Sequence, residues 1–223
     1  MFANHLLSSI AGKEIKVALN GGGGDELFFG YPTYQATALA SLGRFAPSSL
    51  SRLPASISRF IPTSHQKLSA SYKARKFLEG FTMPRDQAHY WWRTIITEEE
   101  KRTLLNGRTP ARDSYWAYES AYNEYSGDDW LEKYSYADLA VWWRSMGLYQ
   151  SDSMSMANSL ELRVPMMDHE FVELAYRIPR KQKHGYATTK PLLRQLGQDV
   201  LPPELLKLKK AGFHVPLAEW YCG

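Results

Sequence analysis

The chain has 223 residues, 44% of them hydrophobic and 13% aromatic, which can fill one large core or two small ones and excludes disorder, collagen-like and low-complexity classes. One cysteine, Cys222, excludes an internal disulfide and a Cys-rich metal site. The 27 basic and 23 acidic residues leave a net charge of +4, and no run approaches the roughly 18 apolar residues of a membrane span.

In chain order, residues 2–11 read as the end of a helix. Glu14-Ile-Lys-Val-Ala-Leu19 is a β-branched, apolar run that predicts a buried strand, stopped by Asn20 and four glycines. The Ser- and Pro-rich segment 44–66 reads as loop-bearing. Thr97-Glu-Glu-Glu100 predicts a helix opened by a capping box, the threonine hydroxyl and the glutamate each satisfying a free amide. Residues 128–146 carry Trp130, Leu131, Tyr134, Ala137, Leu139, Val141 and Trp142 and predict one long, mostly buried helix. Asp168 predicts a cap for a helix whose core face is Phe171, Leu174, Ala175 and Ile178, ended by Pro179. Thr188 or Thr189 is a candidate cap for 190–198, Pro202-Pro203 opens a short helix, and Pro216 opens the last one. One strand among many helices is an odd count: a buried strand belongs to a parallel sheet, so part of that sheet is expected outside this sequence.

Three places carry chemistry. Asn20-Gly21-Gly22-Gly23-Gly24-Asp25-Glu26 lies between the strand and an apolar helical start. Glycines there let a backbone approach a ligand, amides at a helix start favour an anion, and Asp25 suits a hard cation such as Mg2+. The same pattern fits a plain tight turn with Asp25 capping the helix. In the stretch 152–169, Glu161 and Arg163 are two apart in an extended piece and share a face. They would either wall a cleft for a small charged substrate or form a structural ion pair. Residues 177–210 hold nine basic residues against two acidic ones, a segment that attracts phosphate. Within it Lys190, at a helix start where the dipole disfavours cations, is a candidate to meet a phosphate. No nucleic-acid module accompanies this charge, so nucleic acid is not an expected partner.

Taken together, the glycine turn with Asp25-Glu26 and Gly30-Tyr31, the stretch from Ser155-Met156 to Asp168-His169, and Lys190-x-Leu-Leu-Arg194 with Lys210-x-Gly-Phe213 and Trp220 resemble the synthetase domain of glutamine-hydrolysing asparagine synthetases. The resemblance runs over nearly the whole chain; residues 30–125 follow it in length and helical character only. It implies an α/β fold of the PP-loop ATP pyrophosphatase type, predominantly helical here with an incomplete parallel sheet, and residues 1–223 as one partial domain. The implied reaction adenylates the side-chain carboxylate of aspartate with ATP and Mg2+, and ammonia then displaces AMP. By resemblance Lys190 supplies catalytic charge and Asp25 holds Mg2+. Asn20, Gly21, Gly22 and Gly23 lie beside nucleotide and acyl group, and Glu161 and Arg163 line or support the substrate side.

The chain also departs from the pattern. Gly22 stands where relatives often carry a carboxylate, and Asn20 where serine is usual. The S-G-G-x-D-S nucleotide loop is expected upstream of Met1, and the glutaminase domain that supplies ammonia is expected in a missing N-terminal polypeptide. The chain is therefore expected to be a truncated, cytoplasmic ligase fragment. Its alternatives are a ligase of the same family acting on another carboxylate, or an inactive helical subunit completed by a partner.

Overall fold

A computed structural model describes residues 1–43, 70–81, 83, 85–108, 111–208 and 220. The expected loop at 44–66, the Lys210 to Phe213 motif, Pro216 and Cys222 lie outside the described residues. In chain order the elements are α1 (Phe2–Glu14), β1 (Val17–Leu19), α2 (Gly24–Leu27), α3 (Pro32–Gly43), α4 (Ala70–Phe81), α5 (Arg85–Trp91), α6 (Glu98–Leu104), α7 (Trp116–Glu124) and α8 (Trp130–Ala137). A π-helix (Asp138–Leu148) follows, then α9 (Tyr149–Met156), β2 (Glu161–Arg163), a 3-10 turn (Pro165–Met167), α10 (His169–Arg177), α11 (Arg180–Lys183), α12 (Pro191–Gly197) and α13 (Pro203–Lys207). None of the helices among the described residues is long and apolar enough to cross a membrane.

The chain divides into two compact units, one formed by residues 1–30 and 138–223 and the other by 31–137. In the first, β1 and β2 pair in parallel with Val17 opposite Glu161 and Leu19 opposite Arg163. The strand expected at 14–19 is thus shorter, because α1 continues through Glu14 and the chain becomes extended only at Ile15. It is also less buried than its composition predicts. Val17 is 41% and Leu19 76% exposed, since β2 is its only partner among the described residues. The core of this unit joins Leu27 and Phe28 to Ala175, with Leu139, Met167, Phe171, Val172, Tyr176, Leu192 and Leu193 packed around them. Asp168 caps α10 by accepting from the Glu170 amide at 3.0 Å, as expected. Leu174, placed on the core face by periodicity, is 54% exposed instead: the face of α10 that meets α2 runs through Phe171, Val172 and Ala175.

The second unit is built around aromatic rings. His89, Tyr34 and Tyr134 are fully buried, His89 stacked on Tyr134 at 4.7 Å and bonded through Nδ1 to the Thr37 hydroxyl at 2.8 Å. Asp129 accepts from the amides of Leu131 and Glu132 and so opens α8. The long helix expected over 128–146 is an α-helix only to Ala137; from Asp138 the backbone turns to i→i+5 bonding. Burial changes at the same point: Leu131, Tyr134 and Ala137 are buried, whereas Trp142 is 36% and Met146 41% exposed, so the mostly buried stripe expected over 128–146 ends with α8.

Candidate functional site

The site is built at the end of β1. The Asn20 amide donates to the Arg163 carbonyl at 2.8 Å and carries the parallel ladder one residue past the strand. The Asn20 side chain then closes a local turn by accepting from the Gly22 amide at 2.9 Å. Gly23 follows at φ +84°, in the left-handed region that glycine enters without steric cost. Gly22 lies directly against the Trp143 ring, and a Cβ at that position would overlap it, whereas the space beside Gly21 is open. Two sequence expectations change here. The Gly22 amide is bound to Asn20 rather than offered to an anion, and α2 spans only four residues, too short for the aligned dipole of an anion-binding helix start.

Asp25, in the first turn of α2, meets Lys190: Oδ1 and Nζ lie 2.8 Å apart, with both side chains about three-quarters buried. The sequence singled out both residues for separate tasks, and the fold brings them together. Lys190 stands at the start of α12 as expected, but in the cap position expected of Thr188 or Thr189, at φ +52° and with Pro191 fixing the first helical position. Arg194 holds the approach to it by donating to the carbonyls of Thr189, at 3.2 Å, and Leu206, at 3.0 Å. Leu27 and Phe28 below Asp25, and Leu192 and Leu193 beyond Lys190, enter the same core. Packing therefore places a largely buried ammonium and carboxylate at one edge of the glycine turn.

Glu161 and Arg163 do share a face, but it is open to solvent. Arg163 Nε donates to Glu161 Oε1 at 2.8 Å, and the two side chains are 64% and 54% exposed for Arg163 and Glu161. An exposed pair of this kind contributes at most about 1 kcal/mol. Their link to the turn is the backbone bond between Arg163 and Asn20.

The cation expected at Asp25 finds little support in the donor set. Among the described residues no group of three or more His, Cys, Asp or Glu side chains could hold a metal ion, and the Asp25 carboxylate already faces an ammonium. Asp25 alone does not make a Mg2+ site, since that ion takes six oxygens at short range.

Two features went unread in the sequence. Trp143 gave no signal because an aromatic residue in an apolar helical pattern reads as core. Lys183, one of nine basic residues in a charged segment, is 1% exposed, donates to the Ala175 carbonyl at 2.7 Å and lies over the rings of Phe29 and Tyr176. No local pattern marks which lysine of such a segment is buried.

The whole chain, residues 1–223, matches the asparagine synthase family. It is similar to asparagine synthetase [glutamine-hydrolyzing] 1 of Bacillus subtilis, with 32% identity over 216 residues that cover 97% of this chain and 33% of that protein. A putative asparagine synthetase [glutamine-hydrolyzing] of Mycobacterium bovis is 31% identical over 210 residues, covering 94% of this chain and 31% of its own length. The chain thus spans about a third of the length of these relatives. No solved structure matches. A family match from the first residue to the last, with the glycine turn, Asp25 and Lys190 inside it, leads to one assignment: the chain belongs to the asparagine synthase family.

Proposed function

We propose that this chain contributes the synthetase part of an ATP-dependent amide ligase of the PP-loop type, acting on the side-chain carboxylate of aspartate. In the first step a carboxylate oxygen bonds to the α-phosphorus of ATP while the bond to the β-phosphate oxygen breaks, giving aspartyl-adenylate and pyrophosphate. In the second, ammonia attacks the acyl carbon, AMP leaves with the bonding electrons, and asparagine forms after loss of a proton. The observation that carries this reading is the placement of Lys190 beside the glycine turn within a chain-long family match.

The chemistry suits those residues. The adenylation transition state gathers negative charge on the phosphorane and on departing pyrophosphate, and a preorganised ammonium in a partly dry site stabilises it. Lys190 provides that ammonium, and Asp25 orients it before substrate arrives. Asn20, Gly21, Gly22 and Gly23 form the backbone beside nucleotide and acyl group, with Gly21 as the open point of the turn. Glu161 and Arg163 support the turn from β2. Mg2+ bound to the triphosphate would supply charge neutralisation there, and no step is assigned to it at Asp25. Ammonia would come from a glutaminase domain, in keeping with the names of relatives about three times as long.

The test is ATP–pyrophosphate exchange on the full gene product that contains this chain. Aspartate should drive exchange well above glutamate and above a no-acid control. Exchange driven equally by all carboxylates, or by none, contradicts the reading. Preference for a different carboxylate would support a ligase of the same family with another substrate. The glycine at position 22, where relatives often carry a carboxylate, leaves the turn without that charge and gives the second reading a physical basis.

A further inference from the structure

Trp143 lies in the middle of an eleven-residue π-helix, Asp138–Leu148. π-helical backbone is rare and is frequently found at functional sites. Its ring is held between two glycines: a Cβ on Gly22 would overlap one edge of the six-membered ring, and a Cβ on Gly147 would overlap another. Neither position can carry a side chain while the indole stays. The indole Nε1–H is buried and has no hydrogen-bond acceptor among the described residues, although a buried tryptophan N–H ordinarily finds one. A structural tryptophan in a free choice of rotamers would relieve that cost. This one is kept in place by its glycine slot.

We infer that Trp143 is a specificity-determining residue: its indole, seated between Gly22 and Gly147, fills the volume that a side chain at position 22 would occupy and walls the glycine turn on that side. The proposal rests on the turn being the carboxylate-activating site. The wall limits how far the acyl part of a substrate can extend past Gly22, so the site takes a short dicarboxylic amino acid and rejects one lengthened by a methylene. The wall that meets Gly22 is the carbon edge of the six-membered ring, apolar where a charged group could otherwise stand.

Two measurements on the full gene product test it. With 5-fluorotryptophan incorporated, Trp143→Phe removes one fluorine resonance and so identifies it. Gly22→Ala should move that resonance and leave the other tryptophans in place; an unmoved resonance overturns the slot. The ratio of kcat/KM for aspartate to that for glutamate should change little in Trp143→Phe, which keeps most of the ring. It should fall about tenfold or more in Trp143→Ala, the usual scale for one methylene in a pocket. Trp143→Leu serves if the alanine variant does not fold. An unchanged ratio in a folded variant overturns the specificity role. A parent protein that turns over neither acid overturns the ligase reading and with it the substrate assignment, while the fluorine shift still reports on the slot.

Discussion

Lys190 stands at φ +52°, a left-handed conformation that costs a residue with a Cβ about 1 kcal/mol or more. Glycine would be free of that cost, yet a lysine is found, and its ammonium lies 2.8 Å from Asp25. Backbone strain kept at a charged contact points to a role for the side chain. Both Lys190→Gly and Lys190→Ala lose the ion pair, but only the alanine variant keeps the strain. Lys190→Gly should therefore be the more stable by about 1 kcal/mol in urea unfolding, and equal midpoints would contradict the strained backbone. Asp25 and Lys190 were each legible as functional residues from their settings, a glycine turn and a basic segment. Their meeting was not, because it depends on Leu27 and Leu192 sharing a core that local sequence does not encode.

At the scale of elements, local chemistry was the most legible. Thr97 and Glu100 form the expected capping box, with the Glu100 amide donating to the Thr97 hydroxyl at 3.2 Å and the Thr97 amide to the Glu100 carboxylate at 2.7 Å. Thr97→Ala should cost about 1 kcal/mol of stability, read by thermal or urea unfolding; no loss would mean that α6 does not depend on its cap. Beside it, hydrogen bonds from the Lys101 ammonium and from Ser114 hold the Glu98 carboxyl down to about 2. A depressed folded value stabilises the fold above the ordinary carboxylate range, near 4.5, and that contribution is lost as pH falls toward 2. The stability gap between the parent and Glu98→Gln should therefore be present at pH 6 and shrink through this window. A gap that stays constant to pH 2.5 would contradict the bonding. By contrast, β2 has only three residues, and its register opposite β1 is set by pairing across most of the chain, so Glu161 and Arg163 were legible as a shared face but not as an exposed one. The π-helix stayed hidden for the reason that hid Trp143: its apolar residues satisfy a helical pattern of either pitch.

At the scale of the molecule, the expectation of a helical α/β chain with a small parallel sheet agrees with the two paired strands and the helices around them. Membership of the asparagine synthase family was legible because its three sequence blocks lie in order along the chain, and the match covers residues 1–223. In the proposed reaction the fold holds Lys190 at the glycine turn, where its ammonium stabilises charge in the adenylation step. Aspartate-dependent ATP–pyrophosphate exchange, measured for Lys190→Ala in the full gene product alongside thermal stability and ATP affinity, tests this most directly. Exchange should fall by about two to four orders of magnitude, equivalent to roughly 3–5 kcal/mol of transition-state stabilisation, while ATP affinity changes far less. Lys190→Arg should recover only part of the rate, because a planar guanidinium places its charge differently from an ammonium. A folded Lys190→Ala variant that exchanges pyrophosphate at the parent rate would contradict the account and leave the contact with Asp25 as a structural ion pair.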